Sequence, residues 1–226
     1  MKKALLFLLL SCSVSAFAEP NKVHSRCIIA GDSIQSYVYE KDRIGDASKL
    51  TASMIPMKTN VSIINMSGGG QRLSSGGTPG WGLVENLQAV WYVTGGKQPD
   101  CMIVALGTND WGSPEIGLDE YEKSYRKVLE YIKSKDVVPV CVIPTWNKYE
   151  GDLNPHTDGK WTIQQFRDKV VQVCNEEKAY IFDSTKIGLK PSDFPDGLHM
   201  GAHGHEVFTA ALVSKMQEWK LWPKNK

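Results

Sequence analysis

Five short apolar runs, each stopped by glycine, proline or a compact polar residue, and separated by stretches with helical spacing, restrict this chain's possible folds more than any other feature. Residues 27–30 end at Gly31, residues 61–64 run into a glycine-rich segment, and residues 101–106 end at Gly107. Residues 137–143 are closed by Pro144 and residues 179–182 by Asp183. Between these runs the helical period recurs. It covers residues 47–57, ended by Pro56 and the turn-like Lys58-Thr59-Asn60, and residues 81–94, where Leu83, Val84, Leu87, Val90 and Trp91 share a face. Tyr121, Tyr125, Val128, Leu129 and Ile132 mark a third helix, and Ile163, Phe166, Val170 and Val173 a fourth. A last one spans residues 202–219. Strict alternation predicts an α/β fold, a parallel sheet with helices on both faces in three α/β/α layers. Right-handed crossovers then bring all the strand ends to one edge, where open sheets of this kind bind ligands.

Residues 1–18 stand outside this pattern. Lys2 and Lys3 precede an apolar run from Ala4 to Leu10, and Ala16-Phe17-Ala18 offers the small residues read by a signal peptidase. The expectation is a signal peptide over 1–18 and one domain over 19–226, exported to the periplasm or beyond. A second reading takes Leu9-Leu10-Ser11-Cys12 as a lipobox, which would make Cys12 an acylated first residue; the Ala-Phe-Ala site is the better match. No other run approaches the roughly 18 apolar residues of a membrane helix, so no transmembrane segment is expected in the mature chain. The formal net charge of +1, with no long run of one sign, gives no reason to expect nucleic acid or an anionic membrane as partner. Oligomeric state is not legible.

Export changes how the cysteines read. Without Cys12 four remain, Cys27, Cys101, Cys141 and Cys174, an even number at spacings that match no zinc pattern. If the strands that start at Cys27 and Cys101 are parallel neighbours, these two thiols lie level and can be bridged. Buried free thiols are the alternative.

Gly31-Asp32-Ser33 ends the first run and delivers a serine to the functional edge, although the same tripeptide occurs in ordinary turns. A nucleophilic serine needs a base, and the base needs an acid to fix its tautomer. His199 and Asp196, three residues apart in a tight loop, suit those roles. Oxyanion donors are available in the N–H groups of Ser33 and Gly70 and the side-chain amide of Asn109. Asp110 is read as a loop-ordering residue, with a catalytic acid as the alternative. His199, His203 and His205 with Asp193 and Asp196 raise a weaker metal reading, and His24 and His156 are expected to be exposed.

Four blocks in order, Gly31-Asp32-Ser33-Ile34, Asn65 to Gly70, Gly107-Thr108-Asn109-Asp110 and Asp196-Gly197-Leu198-His199, make the chain resemble an SGNH hydrolase of the GDSL lipase and esterase family. The resemblance runs from about Cys27 to Trp219. It implies a flavodoxin-like sheet of five parallel strands, Ser33 as nucleophile, His199 as base, Asp196 as its partner, Gly70 and Asn109 as oxyanion donors, and neither metal nor cofactor. Two departures stand out. Ile34 replaces the usual leucine, and Gly68, Gly69 and Gly70 follow one another, with Gly70 matching the Asn-x-x-x-x-Gly spacing.

The expected substrate is a small-molecule or polysaccharide ester with a short or medium acyl group. Carbohydrate O-acetylesterase and lysophospholipase or thioesterase are the alternatives, and an inactive sugar-binding module is a reading from another class. Trp81, Trp111 and Trp146 each follow a strand end closely, so they line the cleft or fill the core.

Overall fold

The computed structural model describes residues 26–36, 45–76, 82–92, 94–151 and 160–224. The expected signal peptide over residues 1–18, with Cys12, and Trp81, His24 and His156 lie outside them. Strands β1 (Arg26–Gly31), β2 (Ser62–Asn65), β3 (Cys101–Ala105), β4 (Val138–Val142) and β5 (Tyr180–Phe182) form one sheet in the order β2-β1-β3-β4-β5. All pairings are parallel. The fold is the α/β architecture that the alternation predicts.

Side chains alternate across the sheet, so the strands feed two cores. Ile28, Ala30, Met102, Val104 and Cys141 face α2 (Leu87–Tyr92), α4 (Leu118–Lys133) and α5 (Ile163–Glu176). Cys27, Ile29, Cys101, Ile103, Val140 and Val142 face α1 (Thr51–Lys58) and α6 (Ala202–Glu218). Period-two alternation in strands that are apolar at every position is the mark of a sheet covered on both faces. Among the described residues no helix is long and apolar enough to cross a membrane.

Two local expectations are refined, and one element is new. Pro56 lies inside α1, which runs on to Lys58, the first residue of the turn-like stretch expected to help end it; the proline forgoes one bond to the carbonyl four residues back, and burial of Met54 and Ile55 from the same turn offsets that loss. The helix expected over 81–94 is, within the described residues, a 3-10 turn at Leu83–Glu85 followed by α2. Asn86 separates the two by donating its amide to the Gly82 carbonyl at 3.1 Å, the backbone competition that makes Asn a poor helix former. After β3 the chain turns at once into a short helix, α3 (Thr108–Trp111).

Both pairs of remaining cysteines are bonded. Cys27 and Cys101 are register partners on β1 and β3, with Cα atoms 4.7 Å apart. Cys141 on β4 joins Cys174 on α5, a pairing the sequence left open.

Candidate active site

The carboxyl ends of β1, β2 and β3 build the site. Beyond β1 the chain folds into a tight turn, with the Gln35 N–H on the Asp32 carbonyl at 3.1 Å and the Ile34 N–H on the Asp32 carboxylate at 2.9 Å. Ser33 sits at the crown of that turn. Gly31 is required just below it, because a Cβ there would lie 2.8 Å from both Ser67 Oγ and Gln35 Cβ. The β2 loop is laced to β1 by the Met66 N–H on the Ile29 carbonyl and the Gly68 N–H on the Gly31 carbonyl.

Ser33 Oγ lies 2.7 Å from His199 Nε2, and His199 Nδ1 lies 2.7 Å from Asp196 Oδ2. The other Asp196 oxygen accepts the main-chain N–H groups of Leu198 and His199, at 2.9 and 2.8 Å. Partial burial works to raise the Asp196 carboxyl, but those hydrogen bonds and the imidazole prevail and hold it at about 2. Asp196 is therefore charged at any pH well above that value.

Asn109 on α3 donates its side-chain amide to the Gln71 carbonyl at 3.0 Å, which puts the amide beside the Gln71–Arg72 peptide, one residue beyond Gly70, and leaves its second hydrogen for another acceptor. Among the described residues the N–H groups of Ser33 and Gly70 have no acceptor, whereas that of Gly68 is spent on Gly31. Gly107 allows α3 to start directly after β3, at φ 135°, a conformation that side chains rarely adopt.

Asp110 is fully buried and accepts the N–H groups of Leu73 and Ser74 at 2.9 and 2.8 Å. It ties the glycine-rich loop to α3. The three histidines have separate partners: His203 pairs with Asp193 at 2.7 Å, and His205 lies 3.0 Å from Thr51 Oγ1, its burial holding it at about 4.

The expected aromatic walls divide. Trp111 is only 4% exposed and sits in the core, its indole N–H on the Trp161 carbonyl at 2.9 Å. It is a core residue, not a cleft wall, because α3 turns it inward against α5. Trp146 is half-buried and packs on Phe194, ring centroids 5.1 Å apart, next to the loop that carries Asp196.

Residues 29–207 match the sequence profile of the GDSL-like lipase/acylhydrolase family. The chain belongs to that family. This hydrolase, a carboxylic ester hydrolase by its family, has no match among curated proteins. Solved structures resemble it in fold. The psychrotrophic esterase EstA from Pseudoalteromonas sp. gives a TM-score of 0.65 at 14% identity, over 86% of this chain and 98% of that one. LAE5, an alpha/beta hydrolase enzyme from the metagenome of Lake Arreo, Spain, gives 0.66 at 15%, over 89% and 98%. Axe2, an acetylxylan esterase from Geobacillus stearothermophilus, gives 0.62 at 19%, over 87% and 95%.

Two supports of the hydrolase site escaped the sequence. The Lys148 N–H, from the segment after β4, donates to the Gly197 carbonyl at 2.7 Å and so fixes the Asp196–His199 turn. Buried Arg167 on α5 holds that segment, donating to the Pro144 and Thr145 carbonyls at 2.9 and 2.6 Å and pairing with Glu150. An amphipathic helix that buries an arginine is the one signal that could have pointed to it.

Asp32, next to the serine, is the other residue the sequence did not single out. Burial pushes its carboxyl up to about 7, the Ile34 N–H opposes this, and nearby Asp110 adds to the rise. The native chain therefore keeps a proton that an unfolded carboxyl, ordinary value 3.8, gives up. The native state binds more protons between those two values, so this group makes stability fall as pH rises through that window. We expect Asp32→Asn to be close to wild type in urea unfolding at about pH 4 and more stable by up to about 4 kcal/mol at about pH 8. A difference independent of pH would count against a protonated Asp32.

Proposed function

We propose that this chain is an exported serine esterase in which Ser33 is the nucleophile, His199 the base and Asp196 its partner. The observation that carries the reading is the continuous hydrogen-bonded line from Ser33 Oγ through His199 to Asp196, with both links at 2.7 Å. Ser33 Oγ attacks the acyl carbonyl carbon while its proton passes to His199 Nε2, and ionised Asp196 stabilises the imidazolium. The carbonyl oxygen becomes an oxyanion, received by the N–H groups of Ser33 and Gly70 and the free hydrogen of the Asn109 amide. Collapse breaks the bond to the alcohol oxygen, which takes the proton from His199. Water then attacks the acyl-serine, losing a proton to His199, and the second collapse returns that proton to Ser33 and frees the carboxylic acid.

Export is supported by the leader-like residues 1–18 and by two disulfides, which persist in oxidising compartments. The reading is tested by release of p-nitrophenol from its acetate ester by wild type and by Ser33→Ala. Asn109→Ala is expected to lower kcat by about a hundred- to a thousand-fold with a small effect on KM, because the donor acts on charge that exists only in the transition state. An equal loss in KM with kcat unchanged would move Asn109 from oxyanion donor to substrate binding.

A further inference from the structure

A small cavity of about 20 Å3 lies against the Ser33 turn, lined by Asp32 and Ile34 on either side of the serine. Gln35, Thr108, Thr145 and Phe208 make up much of the remaining wall, and all six of these residues are buried. The volume suits a single water molecule. Two of the lining groups call for a partner. Thr145 Oγ1 is buried and has no hydrogen-bond partner among the described residues, and a buried hydroxyl left in that state pays for its lost hydration without return. The Ile34 N–H occupies one oxygen of Asp32 at 2.9 Å, and a carboxyl group has capacity for more. Burial keeps that carboxyl protonated up to about 7, so its partner has to accept from an O–H below that value and donate to a carboxylate above it. Water does both.

We propose that this cavity is a binding site for one water molecule, held between the Asp32 carboxyl and the Thr145 hydroxyl, and that Thr145 acts through it as a positioning residue for the nucleophile. The positioning role rests on the parts given to Ser33 and His199 above. Asp32 belongs to the turn after β1, where its carbonyl takes the Gln35 N–H and its carboxyl the Ile34 N–H, with Ser33 between them. Thr145 belongs to the segment after β4. Buried Arg167 holds the Thr145 carbonyl at 2.6 Å, and three residues further on the Lys148 N–H fixes the Gly197 carbonyl inside the Asp196–His199 turn. β3 lies between β1 and β4, so no strand pairing joins these two ends of the sheet directly. A water across the cavity does. It keeps the turn that presents Ser33 in place against the segment that steadies the base, and so preserves the 2.7 Å from Ser33 Oγ to His199 Nε2 over which the proton passes. Small errors in that placement are costly in rate, because the reacting groups must meet in one geometry.

A high-resolution crystal structure of the wild-type protein should show an ordered water within roughly 3 Å of both the Asp32 carboxyl and Thr145 Oγ1. Thr145→Val removes the hydroxyl and keeps the shape of the side chain, whereas Thr145→Ser keeps the hydroxyl. On p-nitrophenyl acetate, Thr145→Val should lower kcat by about tenfold or more and leave KM within about twofold, with an unchanged circular dichroism spectrum. Thr145→Ser should bring kcat back to within about threefold of wild type. A cavity without ordered water in the wild-type crystal structure, a wild-type kcat in Thr145→Val, or a serine variant as slow as the valine one would each overturn the proposal. The crystal structure decides the water site even where Thr145→Val fails to fold. Turnover that survives Ser33→Ala would instead overturn the esterase reading and the positioning role with it, and the water between Asp32 and Thr145 would still stand or fall on the crystal structure.

Discussion

Ser33→Ala should lower kcat on p-nitrophenyl acetate by roughly a hundred-thousand-fold or more while leaving the melting temperature nearly unchanged. The size of the loss follows from the change of mechanism it forces. Without an oxygen at Ser33, no acyl-serine can form, and what remains is water attacking an ester held against the oxyanion donors. The fold has little stake in the hydroxyl, since Ser33 Oγ bonds His199 Nε2, and His199 keeps Asp196 through its other nitrogen. His199→Ala should cost a similar factor, because a neutral serine is a poor nucleophile with no base to take its proton. The double variant Ser33→Ala/His199→Ala should be no slower than the worse of the two, as groups that act as a unit lose their effect together. Stopped-flow and long-time assays on the three folded variants provide the measurement. Losses that multiply in the double variant would mean that the two side chains act in separate steps, and the triad assignment would fail.

The layers and the parallel sheet were legible because they depend on the alternation of apolar runs with helical spacing. Residues 27–30 and 101–106 lack polar positions, so both faces had to be covered, and the glycines after them had to mark the functional edge. The four blocks were legible for a related reason: each sits at a strand end or in a loop, where local sequence carries the signal, and the residues proposed as nucleophile, base and oxyanion donors all lie in them. Trp111 shows the limit. Its position two residues after Asn109 places it near the site in sequence, but α3 rotates it by helical steps into the core. A four-residue helix leaves too short a pattern to be read. Arg167 and Lys148 were hidden differently, since what they hold is main-chain oxygen 22 to 49 residues away, and no residue type marks a carbonyl that needs a donor. The Cys141–Cys174 bond joins a strand to a helix, and the pairing depends on which helix covers β4.

Reduction of both disulfides should remove most of the chain's stability, an effect large enough to decide in which compartment the protein can fold. Cys27 and Cys101 close a loop of 74 residues, and Cys141 and Cys174 one of 33. In the chain-entropy account each closure raises the free energy of the unfolded state by about 4 kcal/mol, and as the loops do not overlap in sequence the two contributions add. Their sum, about 8 kcal/mol, compares with about 5–15 kcal/mol for the whole stability of a typical domain. All four cysteines are fully buried, so a reductant reaches them only when the chain opens. Reduction of the folded protein should accordingly be slow and should keep pace with unfolding. In urea, the reduced chain should unfold at a far lower midpoint, and Cys27→Ala/Cys101→Ala and Cys141→Ala/Cys174→Ala should each account for about half of the shift. The two pairs should differ in activity. The first bridge joins β1, which carries Ser33, to β3, which leads to Asn109, whereas the second clamps α5, whose Arg167 holds the loop behind Gly197. Loss of the first should therefore disturb Ser33 against Asn109, and loss of the second the Asp196–His199 turn. Four thiols titrating in the denatured, unreduced protein would refute both pairings and remove the support they lend to export.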